Sequence, residues 1–211
     1  MKTKHTHRML IVGIAGGIAV GKSLVAQEAA KLPGVAVVDA DKVAWETYRK
    51  NTETYQKLVA HFGEKILSED GEIDRKKLGA LVFSDPEARE FVNATIHPAV
   101  QIALEKIAQS HRAQGTKLLV IEAALMLESP YVRRDFFDYV ILVTAPRHTQ
   151  IQRLIERSGL DPEEARRRVE AQTPSELLLP QADFVLDTSG TVEETRERAR
   201  TLFHKLLAHA G

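Results

Sequence analysis

A glycine-rich segment near the N-terminus has the residue types and spacing of a phosphate-binding loop. Residues 16–23 match the pattern G-x-x-x-x-G-K-[ST] at every fixed position. Glycines let the backbone turn so that successive N–H groups face inward and bind phosphate oxygens. Lys22 is expected to reach the β- and γ-phosphates of a nucleotide, and the Ser23 hydroxyl to ligate Mg²⁺. The residues predicted to bind ATP here are Gly17, Ala19, Val20, Gly21, Lys22, Ser23 and Leu24.

The loop alone predicts nucleotide binding, not a reaction, because many proteins with this loop are switches or motors. A GTPase needs an Asn-Lys-x-Asp segment to recognise guanine, and the sequence contains none. Residues 187–190 fit the D-x-x-G pattern of a GTPase switch, but they lie near the C-terminus, in the wrong order along the chain. We interpret that match as coincidental.

Two aspartates, Asp39 and Asp41, follow the second predicted strand. Ligands of open α/β sheets bind at the carboxyl ends of the strands, so a carboxylate here could orient and deprotonate an attacking hydroxyl. Aspartate is also a favoured N-cap, so one of the pair could cap the following helix instead. Both interpretations can hold together, with Asp39 structural and Asp41 the general base.

The elements that must position these residues alternate between buried strands and helices. Short apolar runs rich in β-branched residues predict strands, and apolar residues at helical spacing predict helices. The predicted strands are 9–15, 35–39, 117–123, 139–144 and, more weakly, 184–186; helices are predicted at 22–32 and 192–208. This alternation predicts an α/β fold with a doubly wound parallel sheet flanked by helices.

Two longer segments interrupt the alternation. Residues 45–114 are helical and polar, with a turn at 68–71, and are too long for a simple crossover. They are predicted to form a helical insertion lobe. Residues 147–172 are arginine-rich and broken by Gly159 and Pro162, which suits a mobile lid. The nucleotide-binding core would then comprise residues 1–44, 115–146 and 173–211.

Several short motifs occur in one order along the chain, and together they resemble the dephospho-CoA kinase family. After the loop and Asp-Ala-Asp come Asp70-Gly71-Glu72-Ile73-Asp74-Arg75, Val82-Phe83, Asn93 with His97-Pro98, Leu125 with Glu128, Gln150 with Arg153 and Arg157, Arg168 to Gln172, and Ala182-Asp183. The resemblance extends from about Met9 to Gly190. Its strength lies in the ordered co-occurrence of the motifs.

The resemblance implies a P-loop kinase that transfers phosphate from ATP to the ribose 3′-hydroxyl of dephospho-CoA. At the matching positions, Asp41 would be the base, and Lys22 and Arg153 would stabilise charge on the transferred group. Arg157 would bind ATP from the lid. The insertion lobe, with Arg75 and His97, would hold dephospho-CoA, with Met126 and Glu128 nearby. ATP and Mg²⁺ are the implied cofactors.

The chain departs from the family pattern at a few positions. Ala15 stands where Thr or Ser is usual, Val20 where serine is common, and Leu24 where threonine is usual. The proline that usually follows the third strand is missing after Glu122. These changes spare the backbone of the loop, Lys22 and Ser23. Glu122 is itself an acidic residue after a P-loop strand and could hold a Mg²⁺-bound water.

Some of the singled-out residues also have simpler structural interpretations. His97-Pro98 could mark a bend between helices, because the residue before proline avoids helical angles. The run Arg166 to Arg168 lies on one predicted helix with Glu163, Glu164 and Glu170, which predicts a solvated, internally paired face. Trp45 is expected to pack within the lobe.

Composition narrows the possible partners and the setting. The 211 residues carry 29 basic and 29 acidic side chains, so no global field favours nucleic acid or an acidic membrane. There is no cysteine, which excludes disulfides and thiolate metal sites. No stretch approaches the roughly 20 apolar residues of a membrane span. We expect a cytoplasmic protein, monomeric, with a small-molecule substrate; the alternatives are a nucleoside monophosphate or shikimate-type kinase and a regulatory ATP-binding module.

Overall fold

A computed structural model describes residues 8–124 and 126–210. Leu125 of the Leu-x-x-Glu motif therefore lies outside the described residues, as do residues 1–7 and Gly211. Contacts divide the chain into two compact units. The first runs up to Asp39 and resumes at Ala108, and the second is Ala40–Ile107.

The first unit is built on a parallel five-stranded sheet, which confirms the predicted α/β class. Its strands are β1 Leu10–Ala15, β2 Val35–Asp39, β3 Leu118–Glu122, β4 Tyr139–Thr144 and β5 Phe184–Asp187, in the order β2-β3-β1-β4-β5. The connection after β1 leads to one side of the sheet and the connection after β3 leads to the other, so the switch point lies between these two neighbouring strands. Ligands of open α/β sheets bind at the carboxyl ends of the strands beside such a point.

Burial along the strands follows their place in the sheet. Every residue of β1 is buried, since β1 is the central strand. The prediction that 35–39 is fully buried is wrong, because β2 is an edge strand and its residues are half-buried. β5 forms the other edge, where Val185 is 52 % exposed. The alternation of apolar residues cannot reveal which strand lies at an edge.

Five helices complete the first unit within its described residues. They are α1 Lys22–Ala30, α6 Arg147–Ser158, α7 Pro162–Glu170, α8 Ser175–Leu178 and α9 Val192–His209. Gly159 ends α6 in the left-handed region, with φ of 61°, and the Asp161 side chain caps α7 just before Pro162. The two break residues therefore separate α6 from α7, as predicted. A capping box between Thr191 and Glu194 begins α9.

Apolar side chains of α1 and α9 pack together on one face of the sheet. Val25 and Ala29 from α1 meet Ala199 and Phe203 from α9, and each is fully buried in a core that includes alternate residues of β1, β3 and β4. Because β1 and α1 both belong to this core, the loop that joins them is held at both ends.

The second unit consists of helices with a core of their own. Its helices are α2 Ala40–Thr47, α3 Glu53–Phe62, α4 Arg75–Ser84 and α5 Pro86–Ala113, the last of which continues past the end of the unit. Their core includes Tyr48, Leu58, Phe62, Leu78 and Val92. The unit starts at Ala40 and ends at Ile107, whereas the predicted lobe ran from 45 to 114. Its use as a substrate lobe stays a prediction.

Helix α5 runs through Pro98 without a break. The interpretation of His97-Pro98 as a bend between two helices is therefore wrong. Proline removes one backbone N–H and crowds the carbonyl of the preceding turn, which disfavours but does not prevent a helix. Within the described residues, no helix has the length and apolarity that crossing a membrane requires.

Candidate active site

The phosphate loop connects β1 to α1 and follows a path that needs glycine at two positions. Gly16 has φ of 143°, and a Cβ there would overlap the carbonyl oxygen of Val143 in β4. Gly21 is the N-cap of α1 with φ of 93°. The loop therefore delivers the chain directly to the N-terminus of a helix, where free N–H groups and the helix dipole favour a bound anion.

Lys22 is folded back onto the loop. Its Nζ donates to the carbonyl oxygens of Gly16 and Gly17, each at 2.8 Å. These two bonds tie the first residue of α1 to the start of the loop. The ammonium group thus lies beside the loop that the sequence predicts to hold phosphates.

Ser23 lies beside Glu122, at the end of β3. The serine hydroxyl donates to Glu122 Oε1 at 3.0 Å. The pairing of β3 with β1 explains this contact, because Glu122 is in register with Ile14, the penultimate residue of β1. A hydroxyl and a carboxylate are hard oxygen donors of the kind that Mg²⁺ prefers. The pair fits a magnesium ion that takes its other ligands from phosphates and water.

A site made wholly of protein ligands does not occur in the described part of the chain. There, no group of three or more His, Cys, Asp or Glu side chains is arranged to hold a metal. Mg²⁺ commonly binds through one or two carboxylates together with substrate phosphates.

Arg153 of α6 reaches the same loop. Its Nη1 donates to the hydroxyl of Thr188 at 2.9 Å, and its Nη2 to the carbonyl oxygen of Thr188 at 2.6 Å. Nη1 also lies 3.5 Å from the carbonyl oxygen of Ala19, a loop residue in the left-handed region with φ of 56°. The side chain is thereby fixed against the phosphate loop rather than extended into water.

These groups line one cavity of about 420 Å³. Its walls include the predicted residues Ala19, Gly21, Lys22, Ser23, Leu24, Arg153 and Arg157, together with Glu122 and Glu156. Three cationic side chains face two carboxylates here, which suits a polyphosphate accompanied by a divalent cation. A second cavity, of about 440 Å³, lies at the amino ends of the strands and holds none of the predicted site residues.

Two departures from the family pattern are explained by packing. Val20 is buried in the core shared by α1 and α9, and its side chain lies against Gly16. Ala15 is the buried last residue of β1. Neither side chain has a polar atom, so any hydrogen bond from Val20 to a nucleotide would come from its backbone.

In the second unit, Asp41 and Arg75 both lie near Tyr48. Asp41 is in the first turn of α2, and Arg75 is the first residue of α4. Burial raises the pKa of Tyr48, the neighbouring Arg75 guanidinium opposes that rise, and the Asp41 carboxylate adds to it. The predicted base and a predicted substrate-binding arginine therefore share one neighbour.

Trp45 does not belong to the core of the second unit. Its ring is 38 % exposed, with the Arg75 guanidinium 5.4 Å and the Arg49 guanidinium 5.6 Å from the ring centroid. Trp45 therefore packs within the lobe, as expected, but outside its core, in a half-open cation–π contact with the two arginines.

The other predicted substrate residues have different surroundings. His97 is half-buried, and burial lowers its pKa, which favours the neutral form of the ring. Met126 is 4 % exposed and its sulfur packs against Gly13, so core packing alone explains a methionine at this position. Glu128 Oε2 accepts a bond of 2.7 Å from the Thr173 hydroxyl. Their contact with a substrate stays a prediction.

The arginine run on α7 forms the paired face that the sequence predicts. Arg166 pairs with Glu163 at 2.8 Å, and Arg167 and Arg168 pair with Glu164 at 2.7 and 2.8 Å. All of these side chains are substantially exposed, so each pair contributes little to stability. Arg168 is part of this face in the structure.

Sequence reasoning missed two residues that contact the loop. Gln172 Oε1 accepts a bond of 2.6 Å from the Ile18 amide. The Thr188 hydroxyl lies 2.7 Å from the Val20 carbonyl oxygen and accepts a hydrogen bond from Arg153. Gln172 ends one of the family motifs, and Thr188 lies in the D-x-x-G match interpreted as coincidental. The two motifs single out these residues, but no local pattern in the sequence indicates that either residue contacts the loop.

Comparisons with known proteins agree with this geometry. The family model described as dephospho-CoA kinase matches residues 10–194. A curated dephospho-CoA kinase of Shouchella clausii is 41 % identical over 184 residues, covering 87 % of this chain and 92 % of that protein.

Solved structures show the same fold. The crystal structure of TT1252 from Thermus thermophilus has a TM-score of 0.79 and 32 % identity, covering 94 % of this chain and 97 % of that one. A dephospho-CoA kinase from Campylobacter jejuni has a TM-score of 0.69 and 24 % identity, covering 94 % and 98 % of the two chains. At 24 % identity, the similarity to the Campylobacter jejuni structure supports only the fold.

Proposed function

The chain belongs to the dephospho-CoA kinase family, and from that premise we propose that it transfers the γ-phosphate of ATP to the ribose 3′-hydroxyl of dephospho-CoA. The products are CoA and ADP, and the reaction is the last step of coenzyme A biosynthesis. The observation that carries the proposal is the cavity that brings together Lys22, Ser23, Glu122 and Arg153.

The phosphate loop would hold the triphosphate. Its backbone N–H groups and the N-terminus of α1 bind the phosphate oxygens, and Lys22 neutralises charge on the β- and γ-phosphates. Ser23 and Glu122 would hold Mg²⁺, directly or through water. When bound, the ion offsets the negative charge of the phosphates and so makes the γ-phosphorus easier to attack.

Asp41 is the proposed general base. It accepts the proton of the ribose 3′-hydroxyl while that oxygen forms a bond to the γ-phosphorus, and the bond from phosphorus to the bridging oxygen of ADP breaks. Negative charge accumulates on the leaving ADP and on the transferred group. Lys22 and Arg153 stabilise that charge, which is the main task in phosphoryl transfer.

Substrate specificity is assigned to the second unit together with residues 126 and 128. Arg75 is suited to a phosphate of dephospho-CoA because its planar fork binds phosphate in a bidentate way. The neutral ring of His97 offers one hydrogen-bond donor and one acceptor. Met126 and Glu128 are the proposed contacts from the first unit. A side-chain contact by Met126 would require it to leave its packed position against Gly13.

Residues 147–172 are proposed to act as a lid over the nucleotide. They form α6 and α7, which share a small apolar cluster of Leu154, Ala165 and Val169. Arg157 of α6 already lines the cavity, and closure of the segment over the phosphates would exclude water, which otherwise competes as acceptor. A monomeric state and a cytoplasmic location stay predictions from the sequence.

One assay separates this function from its competitors. ADP release is measured with ATP and Mg²⁺ in the presence of dephospho-CoA, AMP or shikimate, each added separately. Turnover with dephospho-CoA, and with neither of the other two acceptors, supports the proposal. Turnover with AMP or shikimate would place the chain among other P-loop kinases, and steady ADP release that ignores every acceptor would indicate a regulatory ATPase.

A further inference from the structure

Thr188 is fixed in place by its backbone and by burial. It directly follows β5, and its N–H donates to the Thr144 carbonyl at 2.9 Å, which extends the pairing of β4 with β5. Only 1 % of the residue is exposed. The protein therefore surrounds its side chain on all sides and leaves it little freedom to move.

The Thr188 hydroxyl joins two parts of the phosphate site. A threonine hydroxyl can donate a single hydrogen and accept through its lone pairs at the same time. Here it accepts a hydrogen bond from Arg153 Nη1 at 2.9 Å. Two carbonyl oxygens lie within reach of its own hydrogen, and the nearer one belongs to Val20, at 2.7 Å. The farther one, of Thr144, is at 3.2 Å. The hydroxyl thus links Arg153 to the backbone of the loop.

Gly21 lies beside this link. A Cβ at Gly21 would lie 3.6 Å from the Thr188 hydroxyl oxygen and 3.7 Å from Arg153 Nη1. Both side chains therefore lie alongside the last loop residue before α1. Arg153 keeps N–H groups beyond those used by Thr188 and Ala19, because a guanidinium carries more donors than these three acceptors engage.

We propose that Thr188 is a positioning residue for phosphoryl transfer: its hydroxyl holds the Arg153 guanidinium against the phosphate loop. The inference rests on the proposed function, in which Arg153 stabilises charge on the transferred group. An arginine side chain has many rotamers, and fixing one of them before the reaction removes an entropic cost from the transition state. The hydroxyl acts through Arg153 and does not itself touch the phosphates.

The kinetic test compares Thr188→Val with Thr188→Ser. Valine keeps the shape but removes the hydroxyl, so kcat should fall about tenfold, the effect of one hydrogen bond to a charged group, while the KM for ATP changes little. Serine keeps the hydroxyl and should restore most of the rate. Thr195→Val is the matched control, since Thr195 is equally buried at 1 % exposure, in α9. A serine variant as slow as the valine variant would overturn the proposal.

A double-mutant cycle distinguishes positioning from a general structural effect. In an Arg153→Ala background, Thr188→Val should cause no further loss of kcat, because the group that the hydroxyl holds is gone. An equal loss in both backgrounds would overturn the proposal.

A second readout needs no acceptor, so it separates this inference from the proposed function. In ¹⁵N spectra, the Nη1 hydrogens of Arg153 should exchange slowly in the wild type and in Thr188→Ser and faster in Thr188→Val, whereas the bond from Nη2 to the Thr188 carbonyl oxygen is kept in all three. Equal protection in all three would refute the positioning role. A wild type that fails to phosphorylate dephospho-CoA would refute the proposed function while leaving this result interpretable.

Discussion

At the residue scale, the side chains of the phosphate site are already engaged with one another. Lys22 binds two loop carbonyls, Ser23 binds Glu122, and Arg153 binds Thr188. Each of these contacts places a charged or metal-binding group within reach of one cavity. Substitutions here should therefore change catalysis more than stability.

The base is tested by Asp41→Asn. Asparagine has nearly the same shape but cannot accept the proton of the attacking hydroxyl, so kcat should fall by roughly 100-fold or more. ATP binding should stay near normal, because Asp41 is not part of the phosphate loop. Steady-state kinetics and calorimetric titration with a non-hydrolysable ATP analogue measure the two effects. Unchanged turnover would remove Asp41 from the mechanism.

The magnesium site is tested by Glu122→Gln. The amide keeps a hydrogen bond to Ser23 possible but removes the negative charge that attracts the ion. The Mg²⁺ concentration for half-maximal rate should rise about tenfold, a usual effect of losing a group around a bound metal. Glu156→Gln is the matched control, because Glu156 lines the same cavity and lies on α6. An equal rise in both variants would mean that charge in the cavity, not a specific ligand, sets the magnesium requirement.

At the element scale, helices α1 and α9 are joined by a buried carboxylate as well as by apolar packing. Glu28 of α1 is 2 % exposed and pairs with Lys31, with Arg196 Nε at 3.4 Å and with Arg200 Nη2 at 3.6 Å. The hydrogen bond from Lys31 lowers the pKa of Glu28, burial opposes this, and the charges of Lys31 and Arg196 add to the lowering. This carboxylate holds the helix that follows the phosphate loop.

The contribution of Glu28 to stability should depend on pH. Because its folded pKa lies below the ordinary value of 4.5, the stabilisation is present above about pH 4.5 and is lost as the pH falls through the folded value. Glu28→Gln should therefore lower the free energy of unfolding at pH 7 by about 1–3 kcal/mol, and by progressively less below pH 4.5. Denaturant unfolding across this range measures it.

The control for Glu28 is Glu163→Gln, which breaks an exposed pair with Arg166. Its effect should stay within about 0.5 kcal/mol at every pH. A Glu28→Gln protein as stable as the wild type at pH 7 would show that the buried pairing contributes nothing.

Elements whose signals are local could be predicted from the sequence. The run β1, glycine loop and α1 carries its own apolar pattern, turn residues and helix start, and the structure has it as predicted. The half-burial of β2 depends on strand order, and the unbroken path of α5 through Pro98 depends on packing that outweighs the proline. The contact of Thr188 with Arg153 joins residues far apart in sequence, so no local pattern indicates it.

At the scale of the whole molecule, the described residues divide into a sheet unit and a helical unit, each with its own core. Net charge is zero, so attraction for a polyphosphate comes from the local arrangement of cations and not from a general field. The proposed nucleotide contacts all lie in the sheet unit. Nucleotide binding should therefore be measurable without the acceptor.

Mg²⁺ with ATP should stabilise the protein against heat. A ligand at about 100 times its Kd adds about 2.7 kcal/mol, which corresponds to a rise in Tm of roughly 5–10 °C for a chain of this size. Asp41→Asn should keep this shift, and Lys22→Ala should lose most of it. Differential scanning calorimetry with and without nucleotide measures the change; an unchanged wild-type Tm would contradict the proposed nucleotide site.

The two bonds from Lys22 to its own loop hold the ammonium group beside the predicted phosphate position. The carbonyl oxygens of Gly16 and Gly17 already occupy the ammonium group, and in doing so they keep the loop in a single shape before any ligand arrives. Little chain entropy then remains to be lost on binding. The charge of the ammonium group then attracts an ionised phosphate oxygen much more strongly than a neutral hydroxyl. Affinity should therefore rise steeply from mono- to di- to triphosphate, and uncharged nucleosides should be ignored.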